Sequence, residues 1–132
     1  MRGLDTNVLV RYLVQDDAAQ AKAATRFIEA ECSKDEPGFV NQIALCELVW
    51  VLEECYRLGR EQIVQVMEQV LRVAQLQVDE PQVVWRALGD FRAGRADFSD
   101  PLLARVNQAR GCKDTVTFDR DASKTPGFMM LR

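Results

Sequence analysis

The run from Ile43 to Leu52 (Ile43-Ala44-Leu45-Cys46-Glu47-Leu48-Val49-Trp50-Val51-Leu52) carries a single polar side chain, Glu47. A segment this apolar has to be covered by other elements, so it predicts a buried helix inside a layered fold, apolar on nearly every side. Glutamate is almost never fully buried without a partner. An unpaired buried carboxylate loses several kcal/mol or gives up its charge. The run therefore predicts that something meets Glu47, and acids elsewhere in the chain point to a divalent metal ion.

The chain has 132 residues, 48% of them hydrophobic and 28% charged, which suits one domain over 1–132 with a compact core rather than disorder. No apolar stretch reaches the ~18 residues of a membrane span. Asp5 and Asn7 interrupt the first apolar segment too early for a signal peptide, so the expected compartment is the cytoplasm, with no membrane partner. The sequence holds no histidine and no CxxC pair. That argues against a structural zinc site and against haem held by histidine, and it removes Ser-His-Asp and Cys-His catalysis. The four cysteines (Cys32, Cys46, Cys55, Cys112) read as free, mostly buried thiols. Hydrolytic chemistry is left to carboxylates, metal ions, lysine or hydroxyls.

Patterning predicts short strands alternating with helices. Arg2 to Asp5 reads as a strand ending on an acid, and Asn7 to Val14 as one or two apolar helical turns. Asp16 and Asp17 read as the cap of a helix near 17–33. Lys34 to Gly38 is a loop, and Phe39 to Asn41 a short strand. A helix over 43–57 carries Glu47, with Gly59 as its stop. Ile63, Val66, Met67, Val70 and Val73 give an amphipathic helix over 60–75. Leu76 to Val78 reads as a strand, and Pro81 suits the first turn of a helix over 81–93. Ser99-Asp100-Pro101 opens a helix that stops at Gly111. Thr115 to Phe118 and Phe128 to Leu131 read as the last strands. The alternation predicts an α/β sandwich with a mainly parallel sheet.

Three acids besides Glu47 fall at strand ends or helix starts, where open α/β sheets place ligand sites: Asp5, Asp100 and Asp119. Each also has a purely local reading. Asp5 or Thr6 could cap the helix that follows, Asp100 before Pro101 suits a helix cap, and Asp119 suits an Asx-turn. Converging carboxylates repel unless a cation neutralises them. Oxygen-rich sites suit Mg²⁺ or Mn²⁺, ions that generate a hydroxide-like nucleophile and stabilise charge on a transferring phosphoryl group.

Four segments, in order, resemble the motifs of PIN-domain ribonucleases and, more narrowly, of VapC-type toxins of bacterial toxin–antitoxin pairs. They are Leu4-Asp5-Thr6-Asn7-Val8-Leu9-Val10-Arg11-Tyr12-Leu13, Glu47 within Leu45 to Leu52, Ala96-Asp97-Phe98-Ser99-Asp100-Pro101-Leu102-Leu103-Ala104, and Thr115-Val116-Thr117-Phe118-Asp119-Arg120-Asp121. The resemblance implies a three-layer α/β/α sandwich with a short, mainly parallel central sheet and the acids at one end of it. It implies a metal-dependent endoribonuclease in which Asp5, Glu47 and Asp100 hold Mg²⁺ or Mn²⁺, with Asp119 as a further, weaker ligand. Asp97 is the alternative to Asp100, and Asp121 the alternative to Asp119. Thr6, Asn7 and Thr117 would support the site through hydrogen bonds. Implied partners are an RNA substrate, a VapB-like antitoxin and a second copy of the chain. Apolar surface on the helices at 43–57 and 60–75 agrees with the dimer.

The net charge is −3, yet residues 84–113 hold six basic side chains against three acids, a segment able to guide a phosphate backbone. A solvated helical face explains the cluster equally well. Two rivals stand beside the nuclease. An aspartyl-nucleophile phosphatase would use Asp5, but its usual second aspartate is Asn7 here. A non-catalytic interaction module would keep the acids only for folding.

Overall fold

The computed structural model describes all 132 residues. They divide into two compact units, Met1–Asp79 and Glu80–Arg132.

The first unit is built on a three-stranded parallel sheet in the order β1-β2-β3, with β1 at Arg2–Gly3, β2 at Gly38–Val40 and β3 at Leu76–Val78. Parallel neighbours need long crossovers, and pairs of helices supply them. Helices α1 (Thr6–Val14) and α2 (Ala18–Arg26) join β1 to β2, while α3 (Gln42–Glu54) and α4 (Arg60–Arg72) join β2 to β3. Local chemistry sets the helix ends. The Asp17 carboxylate accepts from the Gln20 amide N–H, and the Asn41 side chain accepts from that of Ala44. Helix α2 continues into a π-helical turn at Phe27–Glu31, so the segment expected as one helix to residue 33 changes its winding after Arg26. Helix α3 ends at Glu54, and Gly59 does not stop it. A left-handed residue, Arg57, turns the chain, and Gly59 instead opens α4, where its N–H donates to the Gln62 side chain. Helix α4 ends at Arg72, short of the expected residue 75. Leu9, Ile28, Val40, Leu45, Leu48, Leu52, Ile63, Val64, Met67 and Val70 form the core, each almost wholly withdrawn from solvent.

The second unit begins with α5 (Pro81–Ala93), with Pro81 in its first turn as expected, and α6 (Ser99–Ala109). Gly111 follows α6 at a φ of 95°, a turn conformation that favours glycine. Strands β4 (Thr115–Thr117) and β5 (Phe128–Met130) form a parallel pair, linked through a 3₁₀ turn at Ala122–Lys124. Strand pairing is thus all parallel but divided between a three-stranded and a two-stranded sheet. Helices α5 and α6 pack together, and Val83, Val84, Ala87, Leu88, Phe91, Phe98, Leu102 and Ala104 are buried. The Asp90 carboxylate receives two parallel bonds from Arg105, at 2.7 and 3.0 Å. The Phe91 and Phe98 rings meet edge to face, 5.7 Å between centroids. Phe98 immediately precedes α6, so it pins the start of that helix. Phe98→Ala should cost about 3–5 kcal/mol, measured as a lower urea midpoint. A loss below about 1 kcal/mol would show that the ring does not anchor α6.

Candidate active site

Asp5 is the hinge between β1 and α1. Its backbone is extended (φ −74°, ψ 151°) and its carbonyl accepts from the Val8 and Leu9 amides. Asp5 occupies the N-cap position of α1, as the local reading had it, but its side chain makes no capping bond. The carboxylate is exposed. Thr6, the first residue of α1, is buried, and its hydroxyl donates to Glu47 Oε1 at 3.0 Å across 41 residues of sequence. That bond brings the first two acidic motifs together within the first unit.

Glu47 itself corrects the sequence expectation. Helix α3 is not buried on all sides: Ile43 is 71% exposed, Trp50 62%, and Glu47 shares their exposed face. Leu45, Leu48, Val49 and Leu52 take the buried face. Glu47 meets the Thr6 hydroxyl, but it is exposed, so burial does not require the cation that the apolar run suggested. Helix α4 behaves differently, burying Ile63, Val64, Met67 and Val70. The apolar surplus expected on both helices is therefore confined to α3. The thiols also differ from expectation: all four are free, but only Cys32 is buried, while Cys55 and Cys112 are exposed.

In the second unit, α6 starts at Ser99, so Asp100 lies inside its first turn and does not cap it. The Asp100 N–H bonds to the Asp97 carbonyl at 3.1 Å. Pro101 follows at a position where a missing N–H costs nothing. Asp100 is partly withdrawn from solvent and Asp97 is exposed. Burial pushes the Asp100 carboxyl above the usual range, and the neighbouring charges of Asp97 and Asp119 push it further. Asp119 does form the local turn: its Oδ1 accepts from the N–H groups of Asp121 (2.8 Å) and Ala122 (3.3 Å). Thr117 supports it, its hydroxyl oxygen accepting from the Asp119 N–H at 2.9 Å. Asp121 points its charge at Lys124, 3.8 Å away on the surface. Within neither unit do three carboxylates or thiols close to the spacing of a ligand shell.

The basic 84–113 segment is less available than its composition suggests, because Arg105 is committed to Asp90. Arg86, Arg110 and Lys113 are exposed. Sequence reasoning passed over Arg2, Arg11 and Gln20, which with Asn7 line a cleft beside α1 in the first unit. The four-residue spacing of Asn7 and Arg11, one helical face, was the available signal.

Short parallel strands joined by helix pairs, with acids at the strand ends and helix starts, define an α/β fold of the kind that the motifs implied. The chain belongs to the PIN domain family: the family model matches residues 4–127, spanning all four acidic segments. It is 29% identical over 124 residues to a VapC ribonuclease of Aquifex aeolicus (strain VF5), covering 94% of this chain and 91% of that protein. No helix is long and apolar enough to cross a membrane.

The Thr6–Glu47 bond joins the first two acidic motifs. Thr6→Val keeps the shape but removes the donor. It should cost about 1 kcal/mol of stability, read by chemical unfolding, and Thr6→Ser should restore most of it.

Proposed function

We propose that the chain is a VapC-type endoribonuclease toxin that cuts RNA phosphodiester bonds with a divalent ion, Mg²⁺ or Mn²⁺. The observation that carries this reading is the ordered set of acidic segments inside a family match covering nearly the whole chain. The named activity of the Aquifex relative supports it. Because the match spans both compact units, the chain is read as one PIN domain over 1–132.

The donor set fits a hard cation. The candidate ligands are all carboxylates, the oxygen donors that Mg²⁺ and Mn²⁺ take. Mutual repulsion at Asp100 is the electrostatic condition that a cation relieves. The proposed ligands are Asp5, Glu47 and Asp100, with Asp119 contributing more weakly through the oxygen not used in its own turn. Asp119 is preferred to Asp121 because it, and not Asp121, is among the charges acting on Asp100. Asp100 is preferred to Asp97 because it is the more desolvated of the two and sits in the helix. When bound, the ion acidifies an attacking water and offsets the charge that develops on the phosphoryl oxygens. Thr6 orients Glu47, Thr117 orients the Asp119 backbone, and Asn7 follows Asp5 by two residues in the first turn of α1.

The same reading makes the chain a cytoplasmic homodimer, held inactive by a VapB-like antitoxin. Exposed Ile43 and Trp50 on α3 support self-association. Light scattering at micromolar concentration should give twice the chain mass, and a strictly monomeric mass would contradict the dimer.

Expression without antitoxin should stop growth, and the purified chain should cut RNA with Mg²⁺ or Mn²⁺ but not in EDTA. Asp5→Asn, Glu47→Gln and Asp100→Asn should each lower cleavage by roughly a hundredfold or more, while Asp97→Asn keeps much of it. If Asp97→Asn is the dead variant and Asp100→Asn the active one, the third ligand is misplaced but the nuclease reading survives. Cleavage that persists in EDTA with all four acids replaced would sink the metal mechanism. A covalent phosphoaspartate at Asp5 would favour the phosphatase instead.

A further inference from the structure

A cleft of about 460 Å³ opens in the first unit alongside α1 and α2. Its lining combines three chemistries. Leu4, Val8 and Phe27 give an apolar floor, Asn7 and Gln20 supply amides, and Arg2 and Arg11 supply guanidinium groups. The volume lies in the range of small-ligand sites.

Two features show that the polar groups are held in place. The Arg2 guanidinium lies over the Phe27 ring, 5.1 Å from its centroid, and Phe27 begins the π-helical turn. Arg11 is fixed from several sides. Its Nε donates to Gln20 Oε1 at 2.7 Å and its Nη1 to Asp16 Oδ1 at 2.9 Å. The Tyr56 hydroxyl donates to the other Asp16 oxygen at 2.6 Å, which with Arg11 holds the Asp16 carboxyl below its usual range. Asp16 offsets the charge of Arg11, so Arg11 brings a fixed set of donors and Arg2 brings the net positive charge.

We propose that this cleft seats one unpaired nucleotide of the RNA, next to the phosphodiester that is cut. The proposal rests on the nuclease reading. One uncompensated guanidinium matches one phosphate. Amides carry both a donor and an acceptor, as a base edge requires. Unpaired bases are recognised by stacking on aromatic rings or guanidinium planes, and Arg2, lying over the Phe27 ring, supplies a guanidinium. The cleft is also continuous in sequence with the proposed metal site, because Asn7 follows Asp5 by two residues.

The test measures binding of a short fluorescein-labelled single-stranded RNA by anisotropy in EDTA, over a range of salt concentrations. Arg2→Ala should weaken binding about tenfold and reduce the salt slope by about one. Ala23→Trp, which fills the cleft from α2, should weaken binding comparably and leave the slope unchanged. Arg2→Lys should recover the slope but not the full affinity. Mn²⁺ affinity by calorimetry should match the unaltered chain in all three. Circular dichroism and unfolding midpoints establish folding, and Arg2 is exposed, so its substitution leaves the core intact. If the unaltered chain cuts RNA and both Arg2→Ala and Ala23→Trp bind and cut as it does, the subsite is wrong and the nuclease stands. If the unaltered chain neither binds nor cuts RNA, both readings fall. Variants that keep RNA but lose the cognate antitoxin would assign the cleft to a protein partner and overturn the proposal.

Discussion

A hydroxyl of one residue, donated to a carboxylate 41 positions away, fixes where the first unit can place its acids. Thr6 is buried, so its hydroxyl has to find an acceptor or lose the hydrogen bonds that water gave it. Glu47 Oε1 is that acceptor. Satisfying it sets α1 against α3, which in turn sets the β1–α1 hinge at Asp5. The bond uses one oxygen of Glu47 and none of Asp5. It is the economical way to bring two anions into one neighbourhood, because the contact that joins them is a neutral donor between their elements.

The second unit handles like charge differently. Asp90 is neutralised by a two-pronged arginine, and Asp121 faces Lys124 across the surface. Asp100 has no such partner: burial, then the charges of Asp97 and Asp119, push its carboxyl above the usual range. An acid under repulsion in the folded state costs stability there, which agrees with the ligand role proposed for Asp100. With no histidine in the chain, such carboxylates have no neutral base beside them to share a proton. A cation would relieve that repulsion without a proton, which agrees with the proposed chemistry.

Element type was legible wherever a local device stood alone. Pro81 placed the start of α5, Asp17 that of α2, and the spacing of Ile63, Met67 and Val70 fixed the buried stripe of α4. Ends set by backbone conformation were not. Glycine is only one way into a left-handed turn, and Arg57 took that role, which freed Gly59 to begin the next helix. The π-helical turn at Phe27 likewise has no residue signature. Acidic positions were visible as a pattern, but their environments were not. Glu47 looked buried because every neighbour in sequence is apolar. A helix shows only part of its residues to its own core, and in α3 Ile43 and Trp50 lie on the face that does not. Asp119 shows the reverse case, since its local turn reading and its influence on Asp100 both hold, through different oxygens or at longer range.

An acidic chain that acts on a polyanion must localise its positive charge, and ion pairs take two arginines out of the sum. Arg105 serves Asp90 and Arg11 serves Asp16, so neither adds much attraction at long range. Counterion release scales with the number of phosphates that cations neutralise. A net charge of −3 with two arginines committed predicts, on the nuclease reading, weak general affinity for RNA. Discrimination then has to come from contacts that need an unpaired, correctly shaped segment: a base in an apolar cleft, and a phosphate beside carboxylates that only a cation makes approachable. On this view the low charge is a filter. A strongly basic surface would hold any RNA in any register, whereas this one holds only a strand whose bases can leave the stack and reach the cleft.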